Sequence, residues 1–377
     1  MACAGPHPDP ALRPGLRPGV PAPPRRSRAV RRRRQNTDGR ARCRGCLGLA
    51  AGAGTVMTAG APALRVLTAG LLTTVQDGGR RGLQRYGVPP SGAADTEGLW
   101  LANLLAGNPP DAAVLEVTGR GPRLEVACTS VRVALGGDAD AVIEAEAGPP
   151  LPAWSAQTLR RGQRLRVGTV RSGLRCYLAV SGGLAIDPVL GSSSTYLRGG
   201  IGGMSGRALR AGDELPVRLD EAPPGPDLRL DAVPATASSG EPLRVVLGPQ
   251  DGLFSPAALA SLLASAYTVS PRSDRVGLRL VGPPLPATTT EIASDACVTG
   301  SIQVTGSGQP IALLCDRGTT GGYPKIATVI SVDVPRLGRL RPGQPVRFSS
   351  VDVAQAEHLR RARARFLNAM HERLRPR

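Results

Sequence analysis

The sequence predicts a mainly β protein of two similar barrel-like domains with a few short helices. Three observations carry this expectation. Short apolar runs recur between Gly, Pro and Asp, and several alternate, as in Arg164-Leu165-Arg166-Val167. That is the pattern of half-buried strands separated by turns. Helical windows are few. Two segments also echo each other: Leu209-Arg210-Ala211-Gly212-Asp213 runs toward Pro216-Val217, and Leu340-Arg341-Pro342-Gly343-Gln344 runs toward Pro345-Val346.

Strands are expected at 63–67, 124–128, 131–135, 164–167, 175–180, 243–247, 276–280 and 311–314, with another beginning after Pro324 and an apolar run continuing to Val334. A helix over 96–105 opens after Asp95, a good cap. Another over 255–266 opens at Ser255 with Pro256 in its first turn. The last, over 353–374, sets Leu359, Ala362, Phe366 and Met370 on one stripe and arginines elsewhere. Residues 64–220 are read as the first domain, 221–242 as a linker, 243–351 as the second domain, and 352–377 as a basic amphipathic helix. Residues 1–58 are read as a disordered basic extension, because they lack apolar periodicity. Met57 stands just before the first credible strand, so translation is expected to start near it. A cleavable Arg-rich targeting peptide is the alternative.

Charge narrows the function classes. Of the formal charge of +18, +10 belongs to residues 1–58 and +5 to residues 353–377, leaving +3 for the body. A nucleic-acid binder would carry its basic stripe on the folded body, so no nucleic-acid partner is expected. No stretch of the body reaches the length of a membrane span. The three histidines, His7, His358 and His371, all lie outside the body. A histidine-based catalytic triad or metal site there is excluded, and no metal site is expected. The scattered cysteines read as buried thiols in a reducing, cytoplasmic compartment.

Chemistry concentrates in a few segments. Gln76-Asp77-Gly78-Gly79-Arg80 turns sharply, and its backbone N–H groups beside Arg80 form a candidate anion nest; a purely structural barrel corner is the alternative. Pro89-Pro90-Ser91-Gly92 then presents Ser91 and Asp95. Glu116 enters a strand. Arg198 lies in a run rich in Gly and hydroxyls, 190–203. Glu291 and Gln303 precede the richest loop, Asp316-Arg317-Gly318-Thr319-Thr320-Gly321-Gly322-Tyr323-Pro324-Lys325. Lys325 is the only lysine among 47 basic residues, a position where a compact amine is preferred over a planar fork. Arg317 and Lys325 are placed to bracket an anion, with Thr319, Thr320, Gly321 and Gly322 offering N–H groups and Asp316 or Tyr323 handling a proton. These four, Lys325, Asp316, Arg317 and Tyr323, are the candidate catalytic residues. A nucleotide-binding Walker motif is impossible around a lysine set between Pro324 and Ile326, and so is a biotinyl lysine on a carrier hairpin.

Together, Val75–Arg80, Gly87–Ala93, Leu190-Gly191-Ser192 and the 316–325 loop resemble the allophanate hydrolase subunit 2 family. That family takes in the C-type subunits of 5-oxoprolinase, KipA-type proteins and the carboxyltransferase region of urea carboxylase. The resemblance runs in order from about Leu64 to Val351. It departs from the family at Gly318, Ser193, Ala296 and Thr305-Gly306. It implies two cyclophilin-like β-barrels. It also implies a part in ATP-dependent opening of 5-oxo-L-proline to L-glutamate beside A- and B-type subunits, with ATP and Mg serving the complex. Phosphorylation of the lactam oxygen would activate the amide toward water. Two other activities fit the resemblance: a carboxyltransferase component with biotin on a separate chain, and a non-enzymatic regulator that binds a kinase-inhibitor homologue.

Overall fold

The computed structural model describes residues 62–144, 148–230 and 240–374. The expected N-terminal extension lies outside these residues, as do positions 231–239 of the expected linker. The first half runs β1 (Ala63–Thr68), β2 (Leu72–Gln76), α1 (Thr96–Ala106), β3 (Val114–Thr118), β4 (Arg123–Val126), β5 (Ser130–Glu144), β6 (Pro150–Leu151), β7 (Ser155–Arg160), β8 (Arg164–Val180) and β9 (Glu214–Pro216). The second runs β10 (Leu243–Leu247), α2 (Pro256–Ala264), β11 (Tyr267–Val269), β12 (Gly277–Val281), β13 (Asp295–Ala296), β14 (Ser301–Val304), β15 (Pro310–Leu313), β16 (Thr320–Gly321), β17 (Lys325–Val329), α3 (Val334–Arg339), β18 (Pro345–Val346) and β19 (Phe348–Ser350); α4 (Val353–Leu374) follows.

The mainly β, two-barrel expectation holds. Strands of the first half form one nine-stranded sheet, ordered β2-β3-β8-β4-β1-β9, with β5 paired to β8 and both β6 and β7 paired to β5. Eight strands of the second half form another, ordered β18-β11-β12-β15-β14-β17-β10-β19. The remaining two, β13 and β16, make a ribbon of their own. Each sheet closes over its own core: Leu64, Val75, Leu115 and Leu178 in the first, and Val245, Leu278, Ile302 and Phe348 in the second. In β4 and β12 the buried residues alternate with less buried ones, as a strand with one dry face requires.

Two local expectations need correcting. Segments 164–167 and 175–180, expected as separate strands, belong to one, β8, which pairs along β5 with register shifts between Gly136 and Ala141. The glycines between them permit irregularity in a continuous ladder. Gly173 has φ +77°, and a Cβ on Gly168 would press on Asp140 O at 2.8 Å. The apolar run to Val334 holds the expected strand only as far as Val329, and α3 starts with Pro335 in its first turn. Apolarity alone does not separate a strand from a short helix.

The faint echo is a repeated turn. Gly212 and Gly343 have φ of +88° and +85°, and each donates its N–H to a strand carbonyl at 2.8 Å, Val66 O and Val269 O. The Asp213 and Gln344 side chains accept from Arg210 N at 2.8 Å and Arg341 N at 2.9 Å. The helices begin where the caps place them: Asp95 Oδ1 accepts from Glu97 N and Gly98 N, and Ser255 Oγ accepts from Ala258 N. After β19, α4 returns to the first half. Arg363 pairs with Glu97, and His371 lies 6.3 Å from the Trp100 ring. Phe366, expected on the buried stripe, is half-exposed.

Candidate functional site

The two sheets meet along a buried polar seam. At its centre β3 carries Glu116 inward, 1 % exposed. Its carboxylate accepts from Ala94 N at 2.8 Å and Tyr177 Oη at 2.9 Å. It also pairs with Arg275 from the second half and lies 3.4 Å from Arg175 Nε. Arg275 forks onto Asp316, Nε to Oδ2 at 2.8 Å, and donates to Gly92 O at 2.6 Å. Beside this, Arg339 Nε reaches Asp95 Oδ2 at 2.6 Å, and Arg175 Nη1 donates to Gly338 O at 2.6 Å. Seven charged or phenolic side chains of distant origin are thus woven into one network.

Burial and charge oppose each other here, and charge prevails. Desolvation alone would raise the Glu116 carboxyl, yet the Arg275 and Arg175 guanidiniums, with Ala94 N–H and Tyr177, hold it below the usual range. Desolvation would likewise lower Arg275, but Cys315, Glu116 and Asp316 keep it firmly cationic. Burial, and then the charges of Glu116 and Asp95, push the Tyr177 phenol well up, so it remains a donor. A group whose folded pKa is depressed gives stability above its unfolded pKa and loses it as pH falls through the folded value. The Glu116 contribution is therefore complete at neutral pH and is lost below about pH 4, near the unperturbed glutamate value. Urea unfolding at pH 7 and pH 3 is expected to show a lower midpoint in acid, and Glu116→Gln to lessen that difference.

The Gln76–Arg80 turn holds its own anion. Asp77 Oδ1 accepts from Gly79 N at 2.8 Å and from the Ser192 and Ser194 hydroxyls at 2.5 Å; Oδ2 accepts from Ser193 N at 2.6 Å. The expected nest of Gly78 and Gly79 N–H groups is thus partly filled by a carboxylate two residues away. Arg80 turns inward, its Nε donating to Val189 O at 3.1 Å and its Nη2 to Ser194 O. Gln76 Nε2 donates to Thr195 O at 3.0 Å.

The 316–325 loop is a paired ribbon rather than an open N–H cradle. Thr320 and Gly321 form β16 and pair with Ala296 and Asp295 of β13. Thr319 O and Gly322 O accept from Cys297 N at 3.0 Å and Ile292 N at 2.8 Å. Beneath the ribbon, Lys325 is 2 % exposed, its Nζ 2.5 Å from Asp295 Oδ2 and 3.0 Å from Ala296 O. Gln250 clasps the pair, its Nε2 donating to Asp295 Oδ2 at 3.1 Å and its Oε1 accepting from Lys325 N at 3.1 Å. Arg317 Nε donates to Cys297 O at 3.2 Å.

These parts join into one site. Arg80 N donates to Pro90 O, and the next residue, Ser91, donates its N–H to Cys315 O at 3.1 Å. Asp316 and Arg317 follow directly, and Arg317 leads through Cys297 to Gln303 and Lys325. Nine buried side-chain polar atoms lack a partner among the described residues, and four of them are Gln76 Oε1, Arg80 Nη1, Ser91 Oγ and Arg317 Nη1. Their concentration along this line marks where the protein leaves hydrogen-bonding capacity for something else, since buried polar groups are otherwise satisfied.

Some expected residues fall elsewhere or are already engaged. Arg198 and Glu291 are exposed, and the Tyr323 side chain is 42 % exposed with only its carbonyl turned to Gln303. Asp95 and Glu116 serve the seam, and Asp316 is bound to Arg275. A cavity of about 620 Å³ lies off the line of spare groups, between α4 and the second half beside Glu97, Arg336 and Phe366. Sequence reasoning missed Arg275, Arg175, Arg339, Tyr177 and Gln250 as site residues. The arginines carry no local signal in a chain with 46 of them. Gln250 follows the turn-forming Gly248-Pro249, where only a contact 75 residues away reveals its task.

The family model described as "Carboxyltransferase domain, subdomain A and B" matches residues 86–350. The C subunit of the 5-oxoprolinase of Escherichia coli is 36% identical over 318 residues, covering 82% of this chain and 98% of that protein. The urea amidolyase of Saccharomyces cerevisiae is 29% identical over 320 residues, covering 79% of this chain and 17% of that protein. Among solved structures, the crystal structure of the K. lactis urea amidolyase is similar with a TM-score of 0.74 at 29% identity, covering 82% of this chain and 20% of that one. The chain thus spans about a fifth of the urea amidolyases it matches.

Proposed function

Since the chain belongs to the carboxyltransferase-domain family, subdomains A and B, and is 36% identical to a C subunit of 5-oxoprolinase, we propose that it is the C-type member of an ATP-dependent 5-oxoprolinase, working beside A- and B-type subunits to open 5-oxo-L-proline to L-glutamate. The observation that carries this reading is coverage. The match takes in 98% of a protein that is itself a subunit, whereas in urea amidolyase it takes in 17% of a much longer chain. The site is compatible with an amide substrate. Gln76 Oε1 is a spare acceptor of the kind a lactam N–H needs; Arg80 Nη1 and Arg317 Nη1 are spare donors of the kind a lactam oxygen or a carboxylate needs.

ATP supplies the driving force for opening a stable five-membered lactam. Two of the four spare groups, Arg80 Nη1 and Arg317 Nη1, are N–H donors of guanidinium groups, which fit anionic oxygen. In this reading ATP with its magnesium serves the complex, and this chain binds and orients the amide in a dry seam where N–H donors act at full strength. Biotin, in a carboxyltransferase, would arrive on another chain.

The test is reconstitution with candidate A- and B-type subunits, following ATP hydrolysis with 5-oxoproline, with urea and with neither. ATP hydrolysis that depends on 5-oxoproline and falls at least about tenfold in Lys325→Ala is expected, the scale of one lost charge-assisted contact. Urea-dependent turnover with a biotinylated partner would move the assignment to a carboxyltransferase. A stable complex without turnover of either substrate would move it to a regulator.

A further inference from the structure

We propose that the buried polar cluster beneath the β13/β16 ribbon binds a small carboxylate between Arg317 and Lys325, with Asp295 as its built-in competitor. The proposal rests on the amide-opening reading for the identity of the ligand, 5-oxoproline carboxylate, but its geometry stands without it.

The first observation is a charge without a counter-charge. Arg317 is 3 % exposed, its Nη1 has no hydrogen-bond partner among the described residues, and the titratable groups that face it, after burial itself, are the Cys297 and Cys315 thiols, which burial keeps protonated. The adjacent Asp316 is turned to Arg275. A buried guanidinium of this kind is costly unless an anion completes it. The second observation is the looseness of its neighbour. Gln303 is 7 % exposed, and its Nε2 has only long contacts at 3.5 Å, to Cys297 Sγ and Tyr323 O. With Lys325 Nζ, three donors of two cations and an amide share one buried neighbourhood.

The third observation is the carboxylate already there. Asp295 binds Lys325 at 2.5 Å, yet its side chain is 46 % exposed. It rides on a ribbon of two residue pairs, Asp295 with Gly321 and Ala296 with Thr320, which has few ladder bonds to lose. The ribbon lies directly on the site: a Cβ on Gly321 would meet Gln303 Nε2 at 2.5 Å and Cys297 Sγ at 3.1 Å. Swinging the ribbon outward carries Asp295 into water and frees the ammonium. An incoming carboxylate accepts from Lys325, Gln303 and the spare Arg317 Nη1, a donor that Asp295 itself leaves unused. Planar carboxylate suits guanidinium geometry, and Lys325 has shown by its partner that it takes one.

Because Lys325 is the only lysine in the chain, lysine labelled at 13Cε and 15Nζ gives a single side-chain resonance that reports this site. The full chain so labelled, alone and with unlabelled partner subunits, is titrated with 5-oxoproline and with 2-pyrrolidinone, the same lactam without the carboxylate. A saturable shift with 5-oxoproline and none with 2-pyrrolidinone is expected. Asp295→Asn, at a half-exposed position, is expected to tighten 5-oxoproline binding about threefold or more, and Arg317→Met to weaken it about tenfold or more, the scale of one charge-assisted contact. A resonance that stays still in both preparations overturns the proposal, as does an equal response to 2-pyrrolidinone or unchanged or weaker binding in Asp295→Asn. The outcomes separate from those of the proposed activity. A shift without turnover in the reconstituted enzyme leaves the site and removes the activity; turnover with a silent Lys325 does the reverse.

Discussion

Replacing Arg275 with methionine is expected to cost the folded chain about 3–5 kcal/mol, the range for removing one partner of a buried ion pair. The substitution keeps an unbranched apolar stem, shorter than that of arginine, and deletes the charge. Asp316, 4 % exposed, then loses both guanidinium contacts, and Gly92 O loses its 2.6 Å donor. Glu116 retains Arg175 at 3.4 Å, Tyr177 and Ala94 N, so the damage is greatest on the side of the second half. Urea unfolding of the variant at pH 7 measures the cost. A loss below about 1 kcal/mol, the scale of an exposed pair, would mean that Arg275 is not what joins the sheets.

The second large effect is expected from a single methyl group, Gly338→Ala. Gly338 sits in α3 where that helix crosses the Ala94-Asp95 backbone. A Cβ there would lie 2.5 Å from Ala94 C and 2.9 Å from Asp95 N, and nearer still to Ala94 O. The obstacle is backbone, so no side chain can rotate away. Overpacking of this kind costs about 1–3 kcal/mol. The displaced helix also carries Gly338 O, the acceptor for Arg175, and Arg339, the partner of Asp95. The expected result is a stability loss of at least about 2 kcal/mol, that packing cost plus a share of the seam, with the affinity for 5-oxoproline falling alongside it. An alanine variant as stable as wild type would show that the halves can separate by several tenths of an ångström at no cost.

How much of this was legible depended on distance along the chain. Caps are local, so Asp95 and Ser255 announced α1 and α2, and the paired Arg-Xaa-Gly turns announced the repeated corner. Lys325 stood out by its rarity. Asp77 and Arg80 were visible as a turn, but that Asp77 would bind Ser192, Ser193 and Ser194 more than a hundred residues away was not. The seam was hidden for the same reason: its pairs join residues 159 and 244 positions apart, and a buried arginine in sequence looks like any exposed one. Glycines inside β8 looked like strand ends because a bulge and a break use the same residue.

The separation of the two sheets along the sequence has a consequence for how the protein is made. Every strand of the first sheet lies between Ala63 and Pro216, and Arg275 and Arg339 both come later. A chain emerging from the ribosome can complete its first sheet while Glu116 and Asp95 still lack those partners. For that interval Glu116 has only the partners of its own half, Arg175, Tyr177 and Ala94 N, and the two carboxylates present an acidic face that Arg275 and Arg339 are shaped to meet. Assembly order and electrostatic complementarity are thus written into the same few residues: the part synthesised first waits as an anion for the cations synthesised after it.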